Sequence, residues 1–188
     1  MEYPVFHIDM NVEAYLNTES LYSALNINLR YLEVKWGKNA DEKSPSDRFQ
    51  GLIRRAYEQT GRKVVVLIDE YDKPLLGLKD DLMDVDIEIR KVLKGFYGVL
   101  KSADAYLRFV FLTGVTRFAK VGVFRGLNHL TDISLYADYA GMCGISETEL
   151  TGCFEPEINA QTAKLGQTYD ETLGELRKHY NSYHFGHC

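Results

Sequence analysis

The sequence predicts a three-layer α/β fold built on a parallel sheet, followed by a helical subdomain. Three observations carry that expectation. Short apolar runs rich in β-branched residues alternate with longer stretches whose apolar residues recur at helical spacing, the pattern of parallel βαβ units. The apolar runs end in polar residues: Asp9, then Asp69-Glu70, then Thr113-Gly114. Beyond Ser146 the character turns helical. The expected division is an α/β core over residues 1–144 and helices over 145–188.

The elements follow in order. Val5 to Ile8 reads as a short buried strand. A helix comes next, with Thr18 or Ser20 as its cap and Leu21, Leu25, Leu29 and Leu32 on one face. After a polar loop from Gly37 to Ser44, Ser44-Pro45 opens a second helix that Gly61 ends. Lys63 to Ile68 is the strongest strand, apolar enough to be buried on both faces. A helix from Val85 to Lys101 turns Ile89, Val92, Leu93, Phe96, Tyr97 and Leu100 inward. Arg108 to Leu112 is the next buried strand, and Ile133 to Leu135 a short one. Ser146-x-x-Glu149 and Thr168-x-x-Glu171 form capping boxes, separated by a polar, turn-rich stretch from Glu155 to Gln167.

Composition narrows the class. A 45% hydrophobic and 26% charged chain of 188 residues is an ordinary globular domain. A net charge of −5 does not suggest a surface that coats nucleic acid. No apolar stretch is long enough to span a bilayer, and the start lacks the features of a signal peptide. Three cysteines, Cys143, Cys153 and Cys188, fit a reducing cytoplasm better than a disulfide framework. Cys143 and Cys153 lack a neighbouring base and read as buried or inert. The expectation is a cytoplasmic protein without a membrane partner.

Chemistry is expected at the strand ends, because ligands of open parallel sheets bind beyond the carboxyl ends of the strands. Asp69 and Glu70 stand there, immediately after an all-apolar strand. Consecutive strand residues point to opposite faces, so both acids reach one site only if the strand ends in a turn. A buried strand that simply stops in polar residues would look the same. The neighbouring strand ends in Thr113, whose hydroxyl could sense a phosphate, and Arg117 follows to stabilise charge. A turn-capping hydroxyl and a solvated arginine are the plainer readings of those two.

Six segments resemble a bacterial AAA-ATPase-like family, often fused to a C-terminal PD-(D/E)XK nuclease-like domain. They are VVVLIDEYDKP (residues 64–74), YPVFHID (3–9), FYGVLK (96–101), LRFVFLTGVTRF (107–118) and GLNHLTDI (126–133), with YNSYHF (180–185) closing the chain. The resemblance implies a P-loop NTPase-like core of the ASCE type. It implies Asp69 on the Mg²⁺ of Mg-ATP, Glu70 as catalytic base, and Thr113 as a sensor. An associated nuclease-like domain would bring nucleic acid as a partner.

This sequence departs from the family in one important way. No G-x-x-x-x-G-K-[ST] occurs, so the core is expected to lack its first strand and its phosphate-binding loop. The chain alone is then expected to hold no nucleotide and to be inactive, although its parent hydrolyses ATP. The missing strand would leave unpaired edges, which dimerisation or strand exchange could fill. Arg125 and His129 stand where the family has smaller or amide side chains. The rival reading is a degenerate, non-hydrolysing interaction module.

Two weaker constellations remain. Glu33-Val34-Lys35, with Asp9 upstream, matches half of a PD-(D/E)XK nuclease site, but on a helix where that motif needs a strand. His179, His184, His187 and Cys188 could suggest Zn²⁺, though surface histidines near a chain end are the plainer account. Aromatic richness could serve base stacking, and core packing explains it better.

Overall fold

A computed structural model describes residues 2–11, 15–76, 83–115, 130–139, 141–142 and 144–180. Three strands form one parallel sheet: β1 (Val5–Asp9), β2 (Val64–Asp69) and β3 (Leu107–Leu112), in the order β1-β2-β3. Ile8 pairs with Ile68 and Ile68 with Leu112, so the three strands end at one level. Helices α1 (Thr18–Trp36), α2 (Pro45–Thr60) and α3 (Met83–Ser102) connect them. The parallel βαβ pattern expected from the sequence is present.

Local chemistry sets the helix ends. Asn17, not Thr18 or Ser20, caps α1: its side-chain oxygen accepts from the Ser20 amide at 2.9 Å. Ser20 completes the box by accepting from the Asn17 amide at 3.2 Å. Ser44 caps α2, Pro45 occupies its first turn, and Gly61 closes it in the left-handed region at φ 65°.

One face of the sheet forms the core. Phe6, Ile8, Val64, Val66 and Ile68 pack into a single cluster with the apolar stripes of α1, α2 and α3. Phe49 of α2 and Phe96 of α3 stack there at 4.8 Å between centroids. The inward residues expected on α3 are buried, with Val92 partly so. Across the helix layer, buried Arg48 pairs with buried Glu33 at 2.7 Å, each removing the other's unpaired charge.

The opposite face differs from expectation. By the strand pleat it carries Val5, His7, Val65, Leu67, Phe109 and Phe111. Val5 and Phe109 are about half exposed, at 49% and 53%, and Val65, Leu67 and Phe111 are half-buried. Neither β2 nor β3 is therefore buried on both faces, and within the first unit α1, α2 and α3 share one core with the sheet's other face. An apolar run reports the affinity of a strand for cover, not how many faces receive it. β3 is also an edge strand among the described residues.

Contacts divide the chain into Met1–Thr131 and Asp132–Cys188. The second unit holds α4 (Glu147–Cys153), α5 (Glu155–Leu165) and α6 (Tyr169–Tyr180). Both expected capping boxes form: Ser146 with Glu149, and Thr168 with Glu171. Two expectations fail here. Ile133 to Leu135 is no strand but a turn, closed by the Tyr136 amide on the Ile133 carbonyl at 3.0 Å. Glu155 to Leu165 is helix rather than turns, with Pro156 in its first turn and Gly166 ending it at φ 65°. No helix among the described residues is long and apolar enough to cross a membrane.

Candidate functional site

Parallel register brings the three strand tips together. Asp9 and Asp69 are paired across β1 and β2, and the Met10 amide donates to the Asp69 carbonyl at 3.0 Å. Beyond β3, the Thr113 amide donates to the Ile68 carbonyl at 2.9 Å. The Tyr71 amide returns a bond to the Thr113 carbonyl at 2.9 Å. Pairing thus continues past the last strand residues, and Asp9, Asp69 and Thr113 fall on the open face of the sheet.

Asp69 is exposed, and its Oδ1 accepts two bonds. One comes from the Glu70 amide at 3.1 Å, the other from the Thr113 hydroxyl. Glu70 adopts φ 53°, the one non-glycine residue in the left-handed region among those described. That conformation ends the strand abruptly and supplies the turn that two adjacent acids need to approach one site. The Lys73 amide closes the turn on the Glu70 carbonyl at 2.9 Å. The Glu70 carboxylate, partly exposed, takes no hydrogen bond or ion pair from the described residues.

Behind the tips lies a buried scaffold that motif reasoning did not single out. Tyr71 and Asp72 are both buried. The Tyr97 hydroxyl of α3 donates to the Tyr71 carbonyl at 2.8 Å. Burial pushes the Tyr97 phenol well above its ordinary value, so it remains a donor throughout the neutral range. Asp72 Oδ1 accepts from the Val115 amide at 3.2 Å. A third acid within four residues of a buried strand end was the available signal for Asp72.

Other candidates separate from this site. Arg117, Arg125, His129, Cys143, His184, His187 and Cys188 lie outside the described residues. Glu33 sits within α1 with its carboxylate on Arg48, and Lys35 lies over the Trp36 ring at 4.9 Å. That helical, ion-paired arrangement lacks the strand a PD-(D/E)XK site requires. His179 is exposed and 4.0 Å from Glu175. No group of three or more metal-ligating side chains occurs among the described residues. Cys153 is exposed rather than buried. Phe6, Phe49, Phe96 and Tyr97 serve the core, whereas Tyr22, Tyr31, Tyr136, Tyr139 and Tyr180 are exposed.

Residues 1–124, which span all three strand tips, match the family described as a predicted AAA-ATPase. The chain belongs to this AAA-ATPase-like family. Over 185 residues, 97% of the chain, it is 37% identical to the "Uncharacterized protein in vnfD 5'region" of Azotobacter chroococcum mcd 1. The chain spans about a third (33%) of that relative's length. No solved structure matches it. The helices of the second unit lie beyond the AAA-ATPase-like match but within the alignment to this relative.

Proposed function

We propose that the strand tips form the hydrolytic half of an Mg-ATP site, and that the protein carrying this AAA-ATPase-like domain is an ATPase. The observation that carries the reading is the bond from the Thr113 hydroxyl to Asp69, made across two strand tips beside the left-handed Glu70. Asp69 suits a magnesium ion: its Oδ1 is engaged, while its Oδ2 accepts no hydrogen bond from the described residues. The ion would supply charge neutralisation at the transferring phosphoryl group. Glu70, with its carboxylate uncommitted, would orient and polarise the attacking water. Thr113 holds the Asp69 carboxylate and would respond to the terminal phosphate. Arg117 is assigned charge stabilisation on its place in the sequence. A nuclease-like partner domain, and nucleic acid through it, belong to the same proposal on the family resemblance.

The test is steady-state ATP hydrolysis by the full-length protein in Mg²⁺. Glu70→Gln should lower kcat by about 10²–10⁴-fold while leaving nucleotide binding intact. Asp69→Asn should lower the rate and raise the Mg²⁺ concentration required. Hydrolysis undiminished in both variants would overturn the assignment of Asp69 and Glu70, and no hydrolysis by the wild-type protein would favour the non-hydrolysing interaction module.

A further inference from the structure

Asp72 is 1% exposed, yet it is an acid two residues past Glu70 and would ordinarily seek solvent. Its carboxylate faces the chain that leaves β3. Oδ1 accepts from the Val115 amide at 3.2 Å, across 43 residues of sequence. Gly114 packs directly against it. A Cβ at residue 114 would stand 2.5 Å from Asp72 Oδ1 and 2.8 Å from Tyr71 Cε1, closer than any side chain can be placed. Thr113 is therefore fixed from both sides. Its amide and carbonyl are bonded to β2 and Tyr71, and the next two residues are held by Asp72. The bond from Tyr97 to the Tyr71 carbonyl ties the scaffold to α3.

We propose that Asp72 is a positioning residue that clamps the tip of β3, keeping the Thr113 hydroxyl on the Asp69 carboxylate. Gly114 is the matching element, since only a residue without a side chain lets the two segments close to this distance. The consequence for hydrolysis rests on the ATPase reading; the clamp itself does not. Asp72 touches neither nucleotide nor water in this scheme and acts through Thr113.

The experiment compares Asp72→Ala, Asp72→Asn and Gly114→Ala in the full-length protein, with Val99→Ala as a control. Val99 is a buried core residue of α3 outside the loop, so its truncation tests general loosening. Two quantities are read: ATPase kinetics, and amide exchange of the segment from Leu107 to Val115. Asp72→Ala and Gly114→Ala should speed exchange at Val115 by about tenfold or more. Both should lower kcat by about 10²-fold with KM changed less than about twofold. Asp72→Asn, which keeps an acceptor at Oδ1, should restore most of the rate, and Val99→Ala should leave kcat unchanged. Equal losses in Val99→Ala, or unaltered kcat in Asp72→Ala, would remove the positioning role. If the wild-type protein hydrolyses no ATP, the ATPase reading falls, and exchange alone decides the clamp. Unchanged exchange in Asp72→Ala then overturns it.

Discussion

The sheet unit and the C-terminal helices are held together by different forces. In the first, residues from β1, β2 and three helices bury one continuous apolar cluster, with Phe6, Phe49, Phe96 and Tyr97 fully enclosed. In the second, Ile158 and Leu173 are the hydrophobic side chains that become buried among the described residues. Ile145, Phe154, Leu165 and Tyr180 stay exposed there. What α4, α5 and α6 do have is good ends: two Ser/Thr–Glu capping boxes, a left-handed glycine at Gly166, and an exposed ion pair from Arg177 to Glu147. Hydrophobic burial carries no charge to titrate or to screen, whereas caps on carboxylates and exposed ion pairs do. A rigid sheet is also where a site must be built if its groups are to stay in register.

Truncating each core tests the contrast most severely. Phe96→Ala removes a ring that stacks on Phe49 and meets Tyr97 edge-on at 5.8 Å. It should cost about 3–5 kcal/mol. Leu173→Ala should cost about 2 kcal/mol or less, since a thin, 9% exposed site collapses more readily. Urea unfolding can separate the two. Fluorescence of Trp36, the only tryptophan, reports the sheet unit, while far-ultraviolet circular dichroism reports both. Equal costs would mean that the C-terminal helices own a larger core than the described residues show.

The same contrast explains what was legible beforehand. Strands and helices of the sheet unit follow from periodicity, because their burial is strong and one-sided. Caps are legible where the serine or threonine stands three residues before an acid, at Ser146 and Thr168. They are not legible at Asn17, whose partner is Ser20 rather than an acid. Helix α5 escapes a periodicity argument because its residues are polar, although Pro156 and Gly166 mark its start and its end. Ile133 to Leu135 is apolar enough for a strand, but three residues carry no period to distinguish strand from turn. Asp69, Glu70 and Thr113 were visible because they interrupt apolar runs. The contact between Asp72 and Gly114 was not, since it is made in space across two loops. The half-open sheet face was invisible for the same reason: composition records that Phe109 is apolar, not that it lacks cover.

Acid should distinguish the two units. Hydrogen bonds from the Ser146 side chain and backbone hold the Glu149 carboxyl below the ordinary glutamate value of 4.5. Backbone and side-chain bonds from Thr168 do the same for Glu171. A folded value below the unfolded one means this stabilisation is complete above pH 4.5 and lost as pH falls through the depressed values. Asp47 of α2 is lowered in the same way by Ser44, but α2 also buries Phe49, Leu52, Ile53 and Ala56 in the sheet unit's core. Between about pH 5 and pH 3, helical dichroism should fall while Trp36 emission holds. Glu149→Gln with Glu171→Gln, which keep the cap geometry without the titration, should flatten that loss. A simultaneous loss of both signals would show that the units share one cooperative transition.

The smallest expected effect on stability lies inside the sheet unit, at the one place where local stability runs against the rest of it. Glu70 holds a left-handed backbone that costs a non-glycine residue roughly 1–2 kcal/mol. Asparagine visits that region more readily and keeps a short polar side chain, so Glu70→Asn should stabilise the unit by about 0.5–1 kcal/mol. The same change removes the carboxylate assigned to polarise water and should abolish hydrolysis. Opposite signs on stability and activity are what a strained functional turn predicts. If Glu70→Asn lost stability as well, the left-handed turn would be held by contacts of the glutamate itself. Glu70 would then be a structural residue of the sheet unit, with its stability accounted for by packing like the core around it.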